Sequence, residues 1–139
     1  VTEDEVLGIG GENLEGFYSI MKYFQSQDNP NNKAFVAAFK EMWGEDSVMG
    51  DVTQAAYLGP WLWKAAVERA GSFDVDKVVA ESEKGDIELT TEPEGYVKLH
   101  ENHHLWSKAR VGRWNKDGQA TVVYTSELLE PDPFPEGYQ

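Results

Sequence analysis

The chain has 139 residues, of which 40% are hydrophobic and 12% aromatic, so it can bury a packed core, and its composition argues against disorder. The formal net charge of -13 argues against nucleic acid and anionic membranes as partners, because like charges repel. The sequence contains no cysteine, which excludes disulfides, thiolate nucleophiles and cysteine-based metal or iron–sulfur sites.

The N-terminal residues predict a short helical turn followed by a strand. The turn is predicted over 3–7, where Thr2 and Glu5 have the spacing of a capping box. The strand is predicted over 16–24, a stretch that is rich in aromatic and β-branched residues.

Three helices are predicted in the middle of the chain. Apolar residues recur at helical spacing over 31–43 and again over the longer stretch 52–70. Pro60 lies inside the second stretch and predicts a kink or a break there. A shorter helix is predicted over 75–84. The predicted N-caps are Asp28 or Asn29 for the first helix and Asp74 for the third, and Gly44 and Gly71 are predicted to end the first and the second.

The last third of the chain has the pattern of β-strands. Strands are predicted over 96–99, 106–114 and 120–126, and Asp117-Gly118 between the last two indicates a hairpin. This order of elements predicts an α/β or α+β fragment. It does not close readily into a parallel sheet, because the partner strands that such a sheet needs are not evident.

Several short motifs follow one another along the chain in a characteristic order. They are Thr2-Glu3-Asp4-Glu5, the helix N-x-x-F-V-x-x-F-K-x-x-W-G over 32–44, the long run 51–71, the pair Glu94-Gly95, Asn102-His103-His104 and Asp117-Gly118-Gln119. In this order and spacing they resemble the C-terminal third of a type I periplasmic solute-binding protein. That two-lobed family serves ABC importers for branched-chain amino acids, amides and urea. The resemblance covers almost all of the chain and is strongest to the branch that binds urea and short-chain amides.

The resemblance implies an α/β fold that is incomplete on its own. Residues 1–139 would form the C-terminal segment of a two-lobed type I periplasmic-binding-protein domain, with three helices and a C-terminal β-hairpin. The chain would cross between the lobes near 16–24 and 106–112. The protein would be periplasmic or exposed to the exterior, with its signal peptide outside this chain.

The resemblance also implies a function in transport without catalysis or a cofactor. The protein would capture urea or a short-chain amide by closing two lobes over it. Its partners would be a small polar solute (urea, a short-chain amide or an amino acid), an ABC permease and the N-terminal portion of the same protein. Nothing in the sequence frames a Ser-His-Asp arrangement or an acid–base pair, so no enzyme is predicted.

Four residues are candidates for ligand contact. Glu3, with Thr2 and Asp4 beside it, can accept hydrogen bonds from the NH2 groups of an amide or urea, or from an ammonium group. Tyr57, near the start of the long helix, can offer a hydroxyl. The structural alternatives are an exposed acidic turn for the first three residues and a packed interface aromatic for Tyr57.

Two other functions remain open from the sequence. One is a cytoplasmic amide sensor of the same fold, which a signal peptide on the full-length protein would exclude. The other is an acidic domain that binds a divalent metal through His100, His103 and His104. The spacing of these histidines differs from known metal motifs, and adjacent residues of an extended chain point to opposite faces. A turn held by side-chain hydrogen bonds is therefore the alternative reading of the histidine cluster.

Overall fold

The structure, a computed structural model, describes residues 1–137 and contains helices packed against two small antiparallel sheets. In chain order the elements are α1 (Glu3–Ile9), α2 (Gly11–Leu14), β1 (Tyr18–Met21), α3 (Pro30–Trp43), α4 (Asp51–Ala70), α5 (Val75–Ser82), β2 (Glu88–Glu92), β3 (Gly95–Leu99), β4 (Leu105–Trp106), β5 (Arg110–Trp114) and β6 (Ala120–Thr125). The predicted mixed α/β class is confirmed. Residues 1–137 contain five helices and six strands, which is more than the predicted three helices and C-terminal hairpin.

The first sheet has the strand order β1-β5-β6 and packs against α1 and α2. Its core is built around Trp114, whose ring meets Phe24 edge-on with centroids 6.0 Å apart. The indole N–H of Trp114 donates to Ser19 Oγ at 2.9 Å, so this buried polar group is satisfied. Val6 and Ala120 complete the buried cluster.

The second sheet has the strand order β2-β3-β4 and packs against α4 and α5. Ala66 of α4 meets Ile87 and Leu99 in a second buried cluster, which Val78 of α5 borders. The chain therefore has two hydrophobic cores, one for each sheet. Each core buries one face of its helices, as an amphipathic helix requires.

The predicted helices are confirmed to within two residues at each end. Asn29 is the N-cap of α3, because its side chain accepts a hydrogen bond from the Asn32 N–H. Helix α4 runs without a break through Pro60, so of the two predicted alternatives, a kink or a break, the break is excluded and the kink stays a prediction. Asp74 caps α5, as predicted, by accepting from the Lys77 N–H.

The strand predicted over 106–114 is wrong, because the stretch is divided between the two sheets. Trp106 pairs with Lys98 in the second sheet, whereas Arg110 pairs with Met21 in the first. Residues 107–109 join the sheets, and Ser107 forms an isolated bridge with Leu129 of the C-terminal segment. Strand β1 is also shorter than the predicted 16–24, and neither α2 nor β2 was predicted.

The hairpin predicted at Asp117-Gly118 is confirmed between β5 and β6. Gly118 has φ 81, a conformation that favours glycine, and its N–H donates to the Asn115 carbonyl at 3.0 Å. Of the helices within residues 1–137, none combines the length and the apolar character needed to cross a membrane.

Candidate functional site

The first turns of α1 and α4 meet at one point in the structure. Asp4 Oδ2, on α1, accepts a hydrogen bond from Thr53 Oγ1, on α4, at 3.1 Å. A Cβ atom on Gly50 would clash with Asp4 Oδ2 and lie 2.6 Å from Thr2 Oγ1, so a larger residue here would have to displace these two side chains. Three of the four predicted ligand contacts, Thr2, Glu3 and Asp4, lie at this junction.

Thr2 and Glu5 form the predicted capping box at the start of α1. The Thr2 N–H donates to Glu5 Oε2 at 2.5 Å, and the Thr2 hydroxyl donates to the same oxygen at 2.9 Å. The start of α1 is thus occupied by an acidic side chain of its own. It presents carboxylates to its surroundings, which makes it a poor binding site for an anion.

Glu3 is almost fully buried, with 1% of its surface exposed. Its Oε1 accepts a hydrogen bond from the Gln25 N–H at 2.8 Å, whereas its Oε2 is buried and has no partner among residues 1–137. Glu3 also lines a cavity of about 220 Å³ between α1 and the β5–β6 hairpin. A buried oxygen without a partner is uncommon, and it is suited to receive a donor from a ligand or a water.

Burial raises the pKa of the Glu3 carboxyl from 4.5 to about 7. The hydrogen bond from Gln25 opposes this rise, and the charges of Asp4 and Asp51 add to it. The three carboxylates are therefore close enough to influence one another, in a region where water is largely excluded. Such a group changes its charge near neutral pH, which is a common property of functional sites.

The sequence did not indicate the buried residues that surround Glu3 and hold its neighbours in place. Tyr23 is buried, its N–H donates to Asp51 Oδ1 at 2.9 Å, and its hydroxyl donates to Asn32 Oδ1 at 2.7 Å. Burial, followed by the nearby Glu3 charge, raises the pKa of Tyr23. Gln25 Oε1 accepts from the Met49 N–H at 2.6 Å. These contacts join residues far apart in sequence, and no local pattern indicates them.

Tyr57 lies one helical turn beyond Thr53, away from the start of α1. Its ring packs against Phe35 with centroids 4.5 Å apart and meets Trp61 at 6.0 Å. It lines an apolar groove of about 350 Å³ between α3 and α4, and 39% of its surface is exposed. Its packing is that of an interface aromatic, and its contact with a ligand stays a prediction.

The three histidines of the cluster face different partners in the structure. His100 Nε2 lies 3.2 Å from Glu130 Oε1, His103 Nε2 lies 3.7 Å from Glu83 Oε1, and His104 contacts the Asn102 carbonyl. Within residues 1–137 no group of three or more histidine or acidic side chains is placed to hold an ion.

The Asn-His-His stretch instead forms a turn held by side-chain hydrogen bonds. The Asn102 N–H donates to His100 Nδ1, and the His104 N–H donates to Asn102 Oδ1. The Asn102 amide also donates to the Pro131 carbonyl at 3.2 Å, which fastens the C-terminal segment to the turn. The alternative reading of these histidines is therefore confirmed.

Comparison with known proteins gives a match over the whole chain. The family model described as a periplasmic binding protein domain matches residues 1–139. A solute-binding protein of an ABC transporter from Rhodopseudomonas palustris HaA2, solved in complex with p-hydroxybenzoic acid, is 27% identical, with a TM-score of 0.77 over 94% of this chain and 36% of that chain. A leucine-binding protein from Thermotoga maritima MSB8 is 28% identical, with a TM-score of 0.70 over 87% of this chain and 33% of that chain.

A curated protein from Geobacillus stearothermophilus, named limonene hydroxylase, is 33% identical over 123 residues. These residues make up 88% of this chain and 22% of that protein. The chain thus spans about a third of the length of the two solved structures and less than a quarter of the curated relative.

Proposed function

Because the chain belongs to the periplasmic binding protein family and has the fold of a fragment of the type I, two-lobed class, we propose that it is part of the substrate-binding component of an ABC importer. The solute is urea or a short-chain amide, held without catalysis between two lobes that close over it. The N-terminal portion of the same protein supplies the other wall of the cleft, and the closed form docks on an ABC permease at the periplasmic face of the membrane.

The observation that carries the proposed ligand is the Glu3 carboxylate with its unpartnered Oε2. Urea and simple amides carry NH2 groups that can donate to such an oxygen and replace the water lost on burial. Thr2 and Asp4 stand beside Glu3 at the start of α1, and Asp4 supplies a further acceptor. A ligand rich in N–H donors matches this set of groups.

The same carboxylates argue against an aromatic acid as the solute. The relative from Rhodopseudomonas palustris was solved with p-hydroxybenzoic acid, whose carboxylate is an anion at neutral pH. Glu3, Asp4 and Asp51 would repel such a group, because like charges in a partly desolvated site disfavour one another. The proposed solute therefore differs from the one bound in that structure.

An amino acid is the second candidate solute. The relative from Thermotoga maritima is a leucine-binding protein, and a buried carboxylate such as that of Glu3 can pair with the ammonium group of an amino acid. The ammonium group would hold Glu3 in its ionised form. The similarity to limonene hydroxylase covers too small a part of that protein to carry its activity to this chain.

Calorimetry on the complete protein that contains this sequence tests the proposal. The panel is urea, acetamide, leucine and p-hydroxybenzoate. Urea or acetamide should bind most tightly, and Glu3→Gln should weaken that binding by at least about tenfold, since a hydrogen bond to a charged group is lost. Glu15→Gln changes an exposed glutamate elsewhere in the N-terminal region, is the matched control, and should bind as wild type does.

Each other outcome of the panel has a definite meaning. Leucine as the tightest ligand, with the same loss in Glu3→Gln, would replace the amide by an amino acid. Preferential binding of p-hydroxybenzoate, or wild-type affinity in Glu3→Gln, would overturn the proposed role of Glu3.

A further inference from the structure

The two sheets are joined by two stretches of chain that lie side by side. The first, residues 22–25, follows β1, and the second, residues 107–109, precedes β5. Met21 and Arg110 are paired in the first sheet, so both joining segments leave it at the same end. If the two parts of the molecule change their relative orientation, these segments have to absorb the change in backbone angles.

Lys22, the first residue of one joining segment, forms a partly buried ion pair with the turn between β2 and β3. Its Nζ lies 2.9 Å from Glu94 Oε2, and the side chain of Glu94 is 2% exposed. Lys22 Nζ also donates to Gln54 Oε1 at 2.6 Å and lies 3.8 Å from Asp51 Oδ1. The ammonium group thus links the end of β1 to the second sheet and to the start of α4.

Arg110, which follows the other joining segment, is fastened to the same place. Its Nη2 donates to the Glu94 carbonyl at 3.1 Å, and its Nη1 donates to the Lys22 carbonyl. Burial lowers the pKa of Arg110, and the charges of Glu94 and Asp51 oppose this change. Glu94, Lys22 and Arg110 therefore form a closed triangle of contacts, in which each residue holds the other two.

We propose that Glu94 is a positioning residue for the hinge: from the turn between β2 and β3 it holds both joining segments, through its side chain to Lys22 in the first and through its carbonyl to Arg110, directly after the second. The inference rests on the proposed function, since a hinge has a role only in a protein whose lobes close. The triangle lies where the two segments leave the first sheet, so it fixes the orientation of the second sheet relative to the first.

The charge balance of the triangle indicates which change is informative. Lys22 and Arg110 carry two positive charges, and Glu94 and Asp51 carry two negative charges, in a region that is mostly buried. Glu94→Gln removes one charge, nearly preserves the shape and leaves the carbonyl that Arg110 contacts. Lys22→Met removes the other member of the ion pair. In either variant the remaining charged side chain stays in a largely buried site without its partner, which is unfavourable, so the contact between the first joining segment and the β2–β3 turn should loosen.

Amide hydrogen exchange on the complete protein that contains this sequence tests the proposal. The reporters are the N–H groups of Tyr23 and Gln25 in the first joining segment and of Ala109 in the second, each of which donates to a side chain. The references are the N–H groups of Leu99 and Trp114, which donate to carbonyls near the two cores. Both single variants should speed exchange at the reporters by at least about tenfold relative to the references.

The double variant separates a shared contact from two independent ones. If Lys22 and Glu94 act through each other, Glu94→Gln combined with Lys22→Met should exchange no faster than the single variants. Glu101→Gln, an exposed glutamate in the turn after β3, is the control and should leave every rate unchanged.

Three results would overturn the inference: unchanged reporter rates, an equal acceleration at reporters and references, or single-variant effects that multiply in the double variant. None of these depends on a solute, so the hinge inference and the proposed ligand can fail separately.

Discussion

The cost of burying Glu3 depends on pH, because its pKa differs between the folded and the unfolded chain. In the folded chain the value is about 7, and the ordinary value is 4.5. Between these two values the unfolded chain has lost its proton while the folded chain keeps it. This group therefore makes the folded state less stable as the pH rises from 4.5 to 7, and it has no further effect below or above that window.

Glu3→Gln should remove this pH dependence, because an amide does not ionise. Relative to wild type, the variant should gain about 3 kcal/mol in free energy of unfolding on going from about pH 4 to about pH 8. The measurement is chemical denaturation with guanidinium chloride, since urea is the proposed ligand. If the free energies of unfolding of variant and wild type differ by the same amount at both pH values, the pKa of Glu3 is not raised. Glu15→Gln serves as the exposed control.

Gly112 shows how tightly the first core is packed. A Cβ atom at this position would lie 2.5 Å from the Phe24 ring and 3.0 Å from the Ala120 Cβ. Gly112→Ala should therefore lower the free energy of unfolding by about 1 to 3 kcal/mol through overpacking.

Gly59→Ala is the matched control for that substitution. Gly59 lies within α4 directly before Pro60, and outside its own helix no atom lies within 4 Å of its added Cβ. The gain from helix propensity is opposed by the clash of the new Cβ with the Pro60 ring, so the variant should change the free energy of unfolding by less than about 1 kcal/mol. Thermal unfolding of both variants gives the comparison. If both alanine substitutions change the free energy of unfolding equally, the contact of position 112 with Phe24 does not cause overpacking.

At the scale of elements, the start of α3 is held by Asn29, whose side chain makes two different hydrogen bonds. The Asn29 side chain accepts from the Asn32 N–H at 2.8 Å, and its amide donates to the Pro93 carbonyl at 3.0 Å. The cap thus joins α3 to the turn that also carries Glu94. In contrast, Asp74 caps α5 through one exposed hydrogen bond of 3.2 Å.

Asn29→Ala should cost about 1 to 2 kcal/mol, because it removes both the cap and the contact with the β2–β3 turn. Asp74→Ala should cost less, about 0.5 to 1 kcal/mol, since only a solvated cap is lost. Denaturation curves for the two variants provide the test. A larger loss for Asp74→Ala would contradict the assigned role of Asn29 between two elements.

At the scale of the whole molecule, the chain has two cores linked through a polar junction. Glu3, Tyr23 and Asp51 lie at this junction, and Lys22, Glu94 and Arg110 lie beside it. Residues that bind a solute between lobes have to lie close to the segments that join them. The proposed ligand contact at Glu3 and the proposed hinge contacts around Glu94 lie near one another, as the proposed function requires, whereas Tyr57 lies apart from them.

The isolated 139-residue chain should bind urea or acetamide weakly or not at all, because it supplies one wall of the proposed cleft and spans about a third of its solved relatives. Calorimetry with the purified chain is the measurement. Binding in the micromolar range would show that these residues form a complete site. Native mass spectrometry beforehand would tell whether the chain is alone, self-associated or joined to an N-terminal piece.

The local features of this protein were largely determined by its sequence. Helices α3, α4 and α5, the capping box at Thr2 and the hairpin at Asp117-Gly118 depend on neighbours a few residues apart, and the sequence predicts each of them. The order of the motifs likewise sufficed to predict the family. Pro60 is an exception, because the helix around it tolerates a missing N–H that local propensity penalises.

Only the tertiary structure decided how distant residues meet. The division of 106–114 between two sheets depends on the pairing of Trp106 with Lys98 and of Arg110 with Met21, partners that a local pattern does not reveal. The burial of Glu3 and the triangle around Glu94 arise in the same way. Contacts across long stretches of chain are fixed by packing and by the pairing of buried charges, which are properties of the assembled fold.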